Sequence, residues 1–411
     1  MNEYYLSRDD EPRNIKAFSS SEKLVLIMLF SAFLDINGYG IHITVLAFAF
    51  YVIQGGFLSF KEGIIPVLSL SLSLLVFWSN ALHGPSNIVR WLALPLVYII
   101  GYGLVIPKDE RLNSVAIADK RAKTILLVMS SGFFLHFVLN WLININNPDL
   151  NRNTIDIWTG VSRAATGQAI LACMMIGVFV AMIFSTTGVL KKLLAIVGLC
   201  ITAVYNFQLG TRSIFVMILV AAFCALVYMF ADRQGDVKRL RIIVFGAILI
   251  FILVILYQND AWGIKTSFED SNFYNRFFSN NDNDITADSR TDSALEFIPY
   301  MPKYLFGGNK ITSIIGVHPH NVFMDIYDAA GLFAFVSVVV IAINSLTKLL
   351  KVLKLKEIQY ETKQMFLCVY VLMFLQFLVE PIFIGAPILL VAFVMLHGTV
   401  SRLNDSVKFL Y

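Results

Sequence analysis

Apolar runs long enough to cross a bilayer recur along the chain, and a single long polar stretch interrupts them. A helix needs about 20 apolar residues to span the hydrocarbon core, or ~17 at the short end. On that rule roughly twelve spans are predicted. They lie near 23–38, 41–57, 64–79, 90–106, 124–145, 167–186, 193–209, 213–231, 242–258, 326–346, 364–383 and 385–400. The first two read equally well as one broken hairpin. The interruption runs from about Gln258 to Asp325 and is rich in Asn, Asp, Ser and Tyr. Loops of that length are functional or disordered, and its aromatic residues point away from disorder. Within it, EFIPYMPKYLF reads as an interfacial or short helical piece, with Tyr300 and Tyr304 suited to headgroup depth. Gly307–Asn309 reads as a turn. The pattern divides the chain into an N-terminal transmembrane bundle (1–258), a large loop (259–325) and C-terminal transmembrane helices (326–411).

Composition supports this division. Of 411 residues, 57% are apolar and only 15% charged, against roughly 25% charged in soluble domains. The expectation is an all-α integral membrane protein. Four cysteines, Cys173, Cys200, Cys224 and Cys368, sit in apolar runs without metal or disulfide spacing and read as small core residues. The polar N-terminus lacks the pattern of a signal peptide. If both ends are cytoplasmic, only nine of the 32 Lys and Arg fall outside: Arg90, Arg152, Arg163, Arg212, Lys265, Arg276, Arg290, Lys303 and Lys310. That bias fits the positive-inside rule and places the long loop outside. The net charge of +4 is then a matter of topology and gives no sign of nucleic-acid binding.

The outside arginines are few and therefore informative. Arg212, in FQLGTRSIFV, stands at the membrane face between two spans joined by almost no loop, where a charge needs a partner. Arg163, in TGVSRAATGQAI, is surrounded by small residues (Gly160, Ser162, Ala164, Ala165, Gly167) that let another group approach the backbone. Arg290, in ADSRTDSALEF, lies between Asp288 and Asp292. Snorkelling or a local salt bridge accounts for each alone. Three isolated arginines facing one compartment suit a pyrophosphate, whose oxygens guanidinium binds in bidentate fashion.

The stretch GVHPHNVFMDIYDAAG, Gly316–Gly331, holds two of the six histidines. Pro319 keeps His318 extended and suits a helix start, with His320 or Asn321 as cap. Three readings are open: a cap-and-turn element without chemistry; a zinc site using His318, His320 and Asp325, which lacks a further His or Cys nearby; and a general base at the membrane face. Glu380, in FLVEPIF, and Asp35 are acids near outer span ends, functional or capping. His42, His83, His136 and His397 read as hydrogen-bonded structural residues. There is no P-loop, Rossmann glycine pattern, GxSxG elbow or CxxC pair.

Taken in order, these motifs resemble the O-antigen polymerase and O-antigen ligase superfamily of bacterial inner-membrane proteins. The resemblance rests on TRS at 211–213, Arg290, LFGG at 305–308, HPHN at 318–321 and AAGLF at 329–333, with SRAATGQAI at 162–170 as a looser match. It covers the second half of the chain by motif and the whole by topology. One departure is GLFAF, where the family has a second glycine; it reads as a packing change. The resemblance implies a GT-C-like fold of about 12 spans. It implies a polyprenyl-pyrophosphate-linked glycan donor (undecaprenyl in bacteria), used at the periplasmic face without metal or cofactor. Arg212, Arg290 and Arg163 would bind the pyrophosphate, and His320 would be the catalytic base. His318, Asn321 and Glu380 would support it. Implied partners are lipid-linked donor and acceptor, the bilayer, and a flippase and chain-length regulator of the same pathway. Polymerase is the favoured reading, with O-antigen ligase or a capsule or exopolysaccharide polymerase as alternatives. A polytopic transporter is the rival of another class, since transporters place ionisable groups near the midplane.

Overall fold

In hydrocarbon a backbone must satisfy its own hydrogen bonds, so apolar runs of this length become helices. A computed structural model describes residues 17–56, 70, 85–106, 115–146, 153–185, 188–231, 255, 257–260, 264–269, 274, 289–380 and 382–408. The predicted spans near 64–79 and 242–258 lie almost wholly outside the described residues, as does His83. The long helices are α1 (Ser20–Phe33), α2 (Gly40–Ile53), α3 (Pro85–Leu104), α4 (Val115–Asn144), α5 (Ala165–Phe184), α6 (Val189–Gln208) and α7 (Arg212–Ala231). After them come the short α8 (Ser289–Phe297) and α9 (Lys310–Ile315), then α10 (Val322–Lys354), α11 (Tyr360–Val379) and α12 (Pro387–Lys408). Among the described residues seven helices are long and apolar enough to cross a membrane: α4–α7 and α10–α12. The chain is thus an all-α protein built to be embedded in a membrane. α1 and α2 have 14 residues each, about 21 Å of rise. Neither crosses alone, and the broken-hairpin reading fits them.

Hydrogen bonds and ring contacts sort the helix ends into two faces. At one face Arg121 is buried at the centre of a staple. Its Nη2 lies 2.5 Å from Glu22 Oε1, Nε donates to Leu104 O at 2.6 Å and Nη1 to Ala17 O at 2.6 Å. One guanidinium therefore ties α1, α3 and α4 together. Glu22 also closes a capping box with Ser19 at the start of α1. The same face carries Lys123–Glu361 at 2.6 Å, Lys348–Asp405 at 3.6 Å and the Arg402–Tyr102 hydrogen bond at 3.0 Å. Removing one member of a buried pair leaves an uncompensated charge, at a cost of about 3–5 kcal/mol. Glu22→Ala is therefore expected to lower stability by that order in thermal unfolding of the purified protein. A transition at the wild-type temperature would contradict the staple.

The helices of 326–411 do not stand apart. α12 packs along α3, and α11 packs against α5 and α7. Pairings of Met217 with Gln376, Ala221 with Cys368 and Ala225 with Gln364 set α7 and α11 antiparallel. His397 corrects one expectation. It is buried beside the Tyr98 ring, centroids 5.2 Å apart, and neither ring nitrogen has a hydrogen-bond partner among the described residues.

α10 is broken. Gly331 takes φ 83 and ψ −174, a region essentially reserved for glycine. Residues 332–354 alone rise about 34 Å, a full crossing. The predicted span near 326–346 therefore starts later, and residues 322–330 form a separate arm. The break is filled from outside: Leu332 N donates to Leu305 O at 2.8 Å, Gly308 N to Ala329 O at 3.0 Å and Asn309 N to Asp328 O at 2.8 Å. The LFGG turn is the piece that satisfies the interrupted helix. Ala334, three residues after the break, is fully buried.

Candidate functional site

The HPHN segment sits at the end of the bundle opposite the Arg121 staple. A left-handed Gly316 (φ 73) stops α9, and the chain turns through exposed His318, buried Pro319 and half-buried His320. Asn321 is the cap: its Oδ1 accepts from Phe323 N at 2.9 Å and Met324 N at 3.4 Å. That leaves the imidazole of His320 out of the capping task. Asn321 Nδ2 also donates to Leu378 O at 3.5 Å, at the end of α11. The 20 residues of α11 rise about 30 Å, nearly level with Gly331 at the head of the α10 crossing. The arm 322–330 must therefore run across the bundle end; continued straight, it would carry Asn321 far beyond Leu378.

The arm is held from the loop side. Asp328, buried, accepts from Ile311 N at 2.9 Å and Thr312 N at 3.3 Å, which anchors the start of α9. Tyr327 donates its hydroxyl to Met301 O and packs edge-on to Phe297 and Phe335, centroids 6.3 and 5.8 Å away. Phe297, Ile311 and Tyr327 form a small core of their own. The expected helical piece in EFIPYMPKYLF is a 3-10 helix, Ile298–Lys303.

Beneath the arm lies an apolar groove of about 450 Å³. Asn321 and Met324 stand at its head with Met301; Phe335, Val339, Ile343 and Leu346 line it down one face of α10, and Phe374 closes it from α11. From Phe335 to Leu346 the helix rises about 16 Å. The space suits an apolar body, and Asn321 is the one polar side chain among its lining residues.

The other site residues fall around the same bundle end. Arg212 opens α7 after a turn at Gly210 (φ 63), and Glu380, 2% exposed, caps the end of α11 two residues beyond Leu378. Phe137 and Tyr205 meet at 5.1 Å and Asn140 bonds Gln168 at 3.3 Å. These contacts put the ends of α4 and α6 and the start of α5 on this face. Arg290 is described by its backbone only, in α8; the reading of its side chain lies outside the described residues. Among the described residues no cluster of three or more His, Cys, Asp or Glu is placed to hold a metal ion.

Arg163 has a neighbour that sequence reasoning did not single out. It lies in a two-stranded hairpin, Asn153–Ile155 paired antiparallel with Ser162–Ala164. Asp156, 2% exposed, is the hub. Its Oδ2 lies 2.9 Å from Arg163 Nη2 and 2.9 Å from His136 Nε2. Its Oδ1 accepts from Trp158 N, Thr159 N and Thr159 Oγ1, each at 3.1 Å. Asn140 and Asn144, one and two turns after His136 on α4, bind the backbone of Ile157 and Ile155. The hairpin is thus zipped to α4, and His136 is the hydrogen-bonded structural residue expected. The small residue Gly167 leaves room for the aliphatic stem of Arg163 itself, 2.8 Å from where a Cβ would stand. Burial would raise the Asp156 carboxyl, but the His136 hydrogen bond and the Arg163 charge more than reverse this and hold it well below the usual carboxylate range. A depressed carboxylate stabilises fully above its unfolded pKa of about 3.9 and loses that contribution only as pH falls toward the folded value. Asp156→Asn is therefore expected to cost about 1–3 kcal/mol at neutral pH, with the gap to wild type closing below about pH 4. Unfolding at two pH values checks this; an equal gap at both would contradict it.

No family model and no curated protein matches the sequence.

Proposed function

We propose that the protein is a membrane glycosyltransferase that polymerises polyprenyl-pyrophosphate-linked oligosaccharide repeats, acting as an O-antigen polymerase at the periplasmic face of a bacterial inner membrane. The observation that carries the reading is the arm capped by Asn321, the residue after His320, laid across the head of an apolar groove, with Arg212 on the same bundle end. An isoprenoid pyrophosphate has the matching form: an apolar chain, a dianionic head and a sugar beyond it.

In the proposed reaction the acceptor sugar hydroxyl attacks the anomeric carbon of the donor glycan. The carbon–oxygen bond to the pyrophosphate breaks, and polyprenyl pyrophosphate leaves. His320 takes the hydroxyl proton, the role of a general base. Arg212 and Arg290 stabilise the charge on the leaving group. Arg163 is already ion-paired with Asp156, so the charge on the leaving group falls first to Arg212 and Arg290. The chemistry of an O-antigen ligase, or of a capsule or exopolysaccharide polymerase, would use the same groups with a different acceptor.

The test is surface-glycan banding from cells lacking the gene, complemented with the wild-type chain. A ladder restored by the chain, with single-repeat core in its absence, is the expected result. Core without any repeat, with lipid-linked polymer accumulating, assigns the ligase instead. An unaltered ladder in the deletion overturns both.

A further inference from the structure

The turn that fills the break in α10 exposes two large apolar side chains, Leu305 at 42% and Phe306 at 61%. They stand beside Leu332 and Phe333, exposed at 37% and 53%, because Leu332 N bonds Leu305 O at 2.8 Å. Below them Val336 and Val340 continue an exposed apolar stripe down the crossing part of α10. A stripe on a spanning helix faces acyl chains, and here it does not stop at the helix break but passes onto the loop. The loop also carries the residues favoured at a headgroup boundary. Lys303 and Lys310 are exposed on either side of the turn, and the Lys303 ammonium lies 5.3 Å from the Tyr300 ring centroid. Amphipathic aromatics and lysines that reach outward mark that depth.

We propose that the Leu305–Phe306 turn is inserted into the bilayer boundary, its partner being membrane lipid: acyl chains against the two side chains, headgroup phosphates against the flanking lysines. The turn extends the lipid-facing surface of α10 and fixes the depth of the arm bonded to it. His320 and Asn321 are thereby held at headgroup level. The inference rests on the chain spanning a membrane and not on glycosyl transfer, so the two fail separately.

The experiment places a nitroxide at Phe306→Cys in the full chain. Cys200→Ala and Cys224→Ala remove the two native cysteines that are not buried. The protein is held in nanodiscs of phosphatidylethanolamine and phosphatidylglycerol. Collisions with oxygen, which partitions into lipid, are compared with those of a water-soluble nickel chelate. Phe333→Cys serves as the lipid reference. Asn153→Cys, on the exposed hairpin strand, serves as the aqueous one. The expected oxygen-to-chelate ratio at Phe306→Cys matches the lipid reference and lies well above the aqueous one. A ratio equal to that of Asn153→Cys overturns the proposal. A ratio low for both reagents means the turn is covered by protein, and overturns it too. If Phe306→Cys does not fold, Leu305→Cys gives the same reading.

Discussion

His320→Ala is expected to reach the membrane at wild-type level and to form polymer at least about a hundredfold more slowly, the usual effect of losing a general base. Asn321, not His320, caps α10, so the start of the arm survives the loss of the imidazole. Pro319 and the Gly316 turn, which set the path of the chain, are untouched. The contrast is Asn321→Ala, which removes the cap and the bond to Leu378. It is expected to cost about 1 kcal/mol of stability and to lower activity through misplacement. His318→Ala, at an exposed position, is expected to have the smallest effect of the three. Transfer rates at matched membrane levels check the order. If His320→Ala works as fast as wild type, the base lies elsewhere.

Gly331→Ala is expected to be the most damaging change of a single methyl group in the outer half of the molecule. At φ 83 and ψ −174 an L side chain is strained by about 1–3 kcal/mol. Its Cβ would stand 2.4 Å from Leu305 O and 2.8 Å from the Phe306 carbonyl carbon. Those atoms belong to the turn that satisfies the helix break, and that turn has little room to yield. A Cβ at Gly307 would in turn meet Gly331 N at 2.6 Å. The expected consequence is release of residues 305–309 from 328–332 and displacement of the arm that carries HPHN. Misplacement by about 1 Å can cost a hundredfold in rate. Limited proteolysis should show new cleavage between residues 289 and 321, with the α11–α7 core still protected. A digest identical to wild type would show that the latch tolerates a side chain.

Seven helices long and apolar enough to cross a membrane were legible among the described residues, because hydrocarbon thickness sets a length that composition reveals. Every predicted span within the described residues has a helix over it, although α1 and α2 are too short to cross alone. What stayed hidden depends on contacts remote in sequence. The α10 break is made by pairing with Leu305–Asn309, and nothing in FMDIYDAAGLF shows where the helix stops except the glycine. Asp156 was missed for the same reason: it lies in a polar loop, and its partners His136 and Arg163 belong to other elements. A signal did exist. His136, Asn140 and Asn144 recur every fourth residue on one face of an otherwise apolar helix, a costly arrangement unless something polar binds there. Its partner is the hairpin. Of the HPHN segment, the fold gives capping to Asn321 and sets that same residue at an apolar groove that no short motif could reveal.

The most direct measurement uses purified wild-type protein in proteoliposomes, supplied with lipid-linked oligosaccharide extracted from cells lacking the gene. The products are followed by gel and mass spectrometry. The expected result is lipid-linked glycan of two or more repeats, with one polyprenyl pyrophosphate released for each bond formed. Substrate that stays at a single repeat, whether left in place or carried unchanged across the bilayer, would contradict it.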